Sequence, residues 1–128
     1  MKQARNPDSI HAPVGRYVHH IEIENPQKLV FISGQVGMRA DGSVPEDAVD
    51  QLALALENLL ANVHAAGLET TDLVKVTTYV VGEGLDPARR RAAMDRLLGE
   101  HLPTSTLVFV AALATPEYKV EIDGWAAR

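Results

Sequence analysis

The chain has no cysteine, one tryptophan, two phenylalanines and three tyrosines among its 128 residues. Without thiols there is no disulfide, no thiolate metal site and no cysteine nucleophile. The same absence fits a reducing compartment, so a cytoplasmic protein is expected. Positive charge is also in short supply. Twelve Lys and Arg face seventeen Asp and Glu, for a formal net charge of −5. Proteins that live on nucleic acid need a basic surface to neutralise phosphate, so no nucleic-acid partner is expected. The longest apolar run, Leu107 to Ala114, is far short of the ~20 residues of a membrane helix. Residues 1–13 contain no apolar segment of signal-peptide length. The expectation is a soluble, unprocessed protein with no membrane partner.

Hydrophobic residues make up 46% and charged residues 23% of the chain, the balance of a globular protein. The length suits a single domain over 1–128, long enough for an ordinary core. Residues 1–15 are polar and contain Pro7, Pro13 and Gly15, which reads as an irregular N-terminal arm. Alternation from Tyr17 to Glu24 predicts a first strand, and Lys28 to Ser33 a second, with Asn25-Pro26-Gln27 turning between them into an antiparallel hairpin. Gly34 interrupts the second strand, as a bulge or a close backbone approach would require.

Ser43 and Glu46 have the spacing of a capping box. Beyond them Val49, Leu52, Ala53, Leu56, Leu59, Leu60 and Val63 recur at the spacing of one buried helical stripe, which Gly67 ends. Leu73 to Val81 reads as a third strand. Asp86-Pro87 supplies an N-cap and a proline at the first helical position. The second helix carries Ala93, Met94, Leu97 and Leu98 on one side.

The fourth strand, Ser105 to Leu113, is nearly free of polar residues on either alternation after its first two positions. A fifth strand runs from Tyr118 to Ala126. The order ββαβαββ gives an α+β fold, with right-handed crossovers placing both helices on one face of a mixed sheet. Two helices leave the other face bare. A large apolar patch is a liability on a monomer, so a homo-oligomer packed sheet against sheet is expected.

Several segments together are similar to the RidA/YjgF family. They are Gly15-Arg16-Tyr17, Ile32-Ser33-Gly34-Gln35, Ala65-Ala66-Gly67-Leu68, Asp72-Leu73-Val74-Lys75-Val76-Thr77-Thr78-Tyr79-Val80 and Lys119-Val120-Glu121-Ile122-Asp123. Their order and spacing cover the chain from about residue 11 to its end. The resemblance implies a chorismate-mutase-like fold and a homotrimer with its sheets packed inward and small-molecule ligands in clefts between subunits. It also implies hydrolysis of imines or enamines to a carbonyl compound and ammonia. Carried over by position, Tyr17, Ser33 and Gly34 match substrate-binding positions, and Glu121 matches a glutamate that helps place the attacking water. An asparagine of the family falls near Arg91. The arginine with which the family clamps a carboxylate falls on Ser105, and a serine hydroxyl cannot replace a guanidinium fork. Either the substrate lacks that carboxylate, or another cation reaches the site, or the imine activity is gone.

Each residue also has a simpler reading. Glu121 shares the polar alternation of its strand with Lys119 and Asp123, as a solvated face would. Ser33 is an ordinary strand end, and Tyr17 an amphipathic cap on a sheet edge. Arg89-Arg90-Arg91 opens the second helix as a solvated face, with Arg91 four residues from Asp95; one of the three could instead take over carboxylate binding from a different direction. His19 and His20 point to opposite faces of a strand, and His11, His64 and His101 have no ligand spacing. No metal or cofactor is expected. The competing function is a non-catalytic trimeric module that binds a metabolite or a protein.

Overall fold

The computed structural model describes residues 1–128. Four strands form the main sheet in the order β3-β6-β4-β5. These are β3 (Leu29–Val36), β4 (Leu73–Val81), β5 (Thr104–Val110) and β6 (Val120–Ala127). β6 is antiparallel to both β3 and β4, while β4 and β5 are parallel, so the sheet is mixed. The helices are α1 (Ala48–Ala65) and α2 (Pro87–Leu98). They cover the face that carries Val76, Thr78, Val80, Val120, Ile122 and Ala126, all buried. Leu52, Leu56, Leu59 and Val63 of α1 fill the core between the layers. Burying each such side chain contributes about 1.5–3 kcal/mol. The α+β class, the two-helix layer and the mixed sheet agree with the sequence reading.

The N-terminal arm does not. Lys2–Arg5 form a strand, β1, paired antiparallel with β2 (His20–Ile23) in a separate two-stranded sheet. β2 therefore does not close a hairpin with β3. Two sets of bonds account for this. The amide of Glu24 donates to the carbonyl of Met1, so the end of β2 is already held by the N-terminus. The start of β3 is held by the C-terminus, with the amides of Gln27 and Lys28 donating to the carbonyl of Arg128. Asn25 between them takes a positive φ of 49°. Lys2 also donates to the buried carboxylate of Asp72, to which Arg128 donates at 2.9 Å, so one acid ties both ends of the chain to the body.

The first helix starts later than its capping box predicts. Asp47 is the N-cap and accepts from the amide of Asp50 at 2.9 Å. Ser43 is consumed in the preceding turn, where its amide and hydroxyl both donate to Asp41. Gly67 follows the helix with φ +80°, the left-handed conformation expected of it. β4 has the predicted bounds, and Asp86 caps α2 with Pro87 at its first turn as expected. β5 ends at Val110, three residues early, because its parallel partner ends at Val81.

The face of the main sheet away from the helices is left open, as the sequence predicts. Phe31 and Trp125 pack edge to face on it, 4.8 Å apart, yet remain 64% and 50% exposed. β5 is under-covered on its helix side as well, where Phe109 is 58% exposed. The reason is that α1 lies over β3 and β6 while α2 packs chiefly on α1, which leaves the edge strand beyond both.

Candidate functional site

The residues singled out from the sequence separate into two groups on opposite faces of the sheet. Ser105 pairs with Val76, on the helix side, whereas Glu121 pairs with Tyr79, whose side chain has the opposite alternation.

Tyr17, Arg91 and Ser105 share the walls of an open cavity of about 560 Å³ on the helix side of β5. This is within the usual size range of small-molecule sites. Arg16 and Arg90 also line it, with Thr78, Met94, Leu107 and Phe109 completing much of the wall. Arg16 holds this wall together. Its guanidinium donates to Asp95 at 2.9 Å, to the carbonyl of His101 at 2.7 Å and to the carbonyl of Gly99, and its side chain is only 9% exposed. Those bonds tie the Gly15–Tyr17 segment to the end of α2 and to the approach to β5. The hydroxyl of Tyr17 accepts from the amide of Val14 at 3.1 Å, which orients the phenol. Arg91 pairs with Asp95 at 3.4 Å on the exposed side of α2, as its spacing predicts.

Ser33, Gly34 and Glu121 form the second group. The β3–β6 register shifts between Ile32 and Gln35, so Ser33 and Gly34 bulge out of the ladder beside Glu121. A Cβ on Gly34 would overlap the Glu121 carboxylate, lying only 2.7 Å from its carboxyl carbon. Both predictions for Gly34, a bulge and a close approach, therefore hold, and the approaching group is the candidate acid itself. Next to Glu121, Tyr79 donates to Asp123 at 3.0 Å. That hydrogen bond, with desolvation and the nearby Glu121 charge, raises the Tyr79 phenol above its ordinary value, so it stays a donor.

Arg16 and Thr78 were missed as cavity residues, and Arg90 was named only as one of three arginines able to take over carboxylate binding. A signal for Arg90 does exist in the sequence: Pro87, Arg90 and Met94 recur at three- and four-residue spacing, which puts them on one side of a helix. Arg16 was visible only as the middle of Gly15-Arg16-Tyr17, and the carbonyls that bind it come from a distant loop. No helix is long and apolar enough to cross a membrane.

Residues 8–128 match the family model described as Endoribonuclease L-PSP. The chain is similar to the 2-iminobutanoate/2-iminopropanoate deaminase of Escherichia coli K12, at 34% identity over 121 residues that cover 91% of each chain. Among solved structures it is similar to YyfB from Yersinia pestis, a Rid-family protein described as of unknown function, with a TM-score of 0.84, 27% identity and coverage of 99% of this chain and 98% of that one. It is also similar to E. coli TdcF with bound serine, with a TM-score of 0.71, 34% identity and coverage of 91% of both chains. With the helix-covered mixed sheet, the glycine bulge beside Glu121 and a family match over nearly its whole length, the chain belongs to the RidA/YjgF family.

Proposed function

We propose that this protein binds a small metabolite in clefts between the subunits of a homotrimer and hydrolyses an imine or enamine there to a carbonyl compound and ammonia. The observation that carries the reading is the Ser33–Gly34 bulge closed around Glu121, in a member of a family with a deaminase relative at 34% identity. One chain holds Glu121 and the Tyr17–Ser105 cavity on opposite faces, so a complete site draws one group from each of two copies. The open face carrying Phe31 and Trp125 is the apolar surface on which copies pack.

In the reaction, water attacks the imine carbon while the carboxylate of Glu121 accepts a water proton. The C=N π electrons move to nitrogen, which takes a proton, giving a carbinolamine. The carbinolamine nitrogen then takes a second proton and the hydroxyl loses one as the C–N bond breaks, releasing ammonia and the new carbonyl compound. Ser33 and the backbone of Gly34 orient the ligand on one side, and Tyr17, Arg91 and Ser105 wall it on the other. The test follows imines generated in situ by an amino-acid oxidase, with the parent protein and with Glu121→Ala. Faster imine decay with the parent alone is the expected result, and no acceleration by the parent counts against catalysis on those substrates. Ser105, standing where the family has arginine, favours one second reading, a trimer that binds without turnover. A ligand that raises the melting temperature yet is never consumed would support it.

A further inference from the structure

Four charged or hydroxyl side chains face the Tyr17–Ser105 cavity besides Tyr17 and Thr78: Arg16, Arg90, Arg91 and Ser105. No Asp or Glu lines it, in a chain whose acids outnumber its bases. Three cations around one hollow point to an anion, but they are not equivalent. The guanidinium of Arg16 is committed to Asp95 and two carbonyls. That of Arg91 is paired with Asp95 and largely exposed. The first arginine of the run, Arg89, is outside the cavity and held by Asp47 at 3.0 Å through both terminal nitrogens. Arg90 alone has no acid partner and no side-chain hydrogen bond, and it is half-buried at the cavity wall. A half-buried guanidinium without a carboxylate is an incomplete ion pair, and a ligand can complete it.

We propose that Arg90 binds the carboxylate of this protein's ligand, reaching the cavity from α2 and taking the part that residue 105 cannot play as a serine. Ser105 is consistent with that exchange. A second arginine at 105 would face Arg90 across one cavity and repel it, whereas a serine leaves space for the ligand and offers a hydroxyl, which has no hydrogen-bond partner within the chain. A single free guanidinium matches one carboxylate, which it can grip through two parallel N–H···O bonds. The inference rests on the proposed ligand site but does not require turnover.

The experiment is calorimetric titration of the full-length protein with pyruvate and with pyruvamide, its uncharged counterpart. Pyruvate is expected to bind more tightly than pyruvamide. Arg90→Gln is expected to weaken pyruvate by about tenfold or more while leaving pyruvamide unchanged, since only the charge-assisted pair is lost. Arg90→Lys should recover part of the loss, because the charge returns without the fork. Arg96→Ala, which removes a charge on the same helix paired with Glu57, should leave both ligands unchanged. Equal pyruvate affinity for the parent and Arg90→Gln overturns the assignment, as does a parent that shows no saturable pyruvate binding or no preference for the charged probe. The imine assay is read separately. Hydrolysis that depends on Glu121 with pyruvate binding indifferent to Arg90 sinks this inference alone. Binding that depends on Arg90 without hydrolysis sinks catalysis alone.

Discussion

The cavity bounded by Tyr17, Arg90 and Ser105 and the bulge that seats Glu121 lie on opposite faces of one sheet and differ in sign. The first is lined by three arginines and no acid. The second gathers Glu121, Asp123 and the donor Tyr79 beside backbone that only glycine can supply. In the proposed function each group alone is half of a hydrolytic site, one suited to gripping an anion and the other to activating water. The difference teaches that incompleteness within one chain is built into the sheet alternation. Residues on opposite alternations cannot converge unless a second copy supplies the missing half.

The sharpest way to break the comparison is at Gly34. Gly34→Ala puts a methyl group into the Glu121 carboxylate, and displacing that group should abolish imine hydrolysis while pyruvate affinity falls less. Equal losses in both would mean that the two groups do not divide the work. Glu121→Gln keeps the shape and removes the base, and kcat is expected to drop by roughly 10²–10⁴. Retention of most of the activity would remove Glu121 from the chemistry. Phe31→Glu places a charge on the open face and is expected to leave a folded monomer or a weaker assembly by light scattering, with activity lost in proportion. An unchanged oligomer would show that copies do not pack on that face.

A smaller effect concerns the frame that both groups share. Burial alone would raise the Asp72 carboxyl, but hydrogen bonds from Lys2, the Glu69 amide and Arg128, together with the Lys2 charge, outweigh it and leave the group below its ordinary value. A depressed carboxyl stabilises the fold above its unfolded-state value near 3.8, and that contribution is lost as pH falls through the lower folded-state value. Asp72→Asn should therefore lower the melting temperature at neutral pH and flatten its decline under acid conditions below about pH 4. Parallel acid profiles for the parent and the variant would argue against the clamp.

Much of this arrangement is legible in the sequence where a local rule governs it. Asp86-Pro87 and Gly67 mark helix ends because their conformational demands are met within one turn. Gly34 announces a bulge because no other residue has its freedom of approach. β1 was not legible: Lys2-Gln3-Ala4-Arg5 has no apolar alternation, and its pairing rests on bonds to β2 and on the Asp72 clamp, both distant in sequence. The capping box at Ser43 misled because Asp41 competes for the same serine. At the site, individual residues were legible and their grouping was not. The free state of Arg90 follows from which acids its neighbours Arg89 and Arg91 find, and only the folded chain sets that.

The claim that the two groups meet across subunits is tested most directly by mixing. Glu121→Gln carries an intact arginine-lined cavity, and Tyr17→Ala with Arg90→Gln carries an intact Glu121 bulge, so each protein alone is expected to be nearly inactive. Co-expressed with separate affinity tags and purified through both, hybrids of the two should recover a measurable fraction of parent imine hydrolysis, because one cleft type then contains only unaltered residues. Doubly tagged hybrids that stay as inactive as either variant alone would contradict the account.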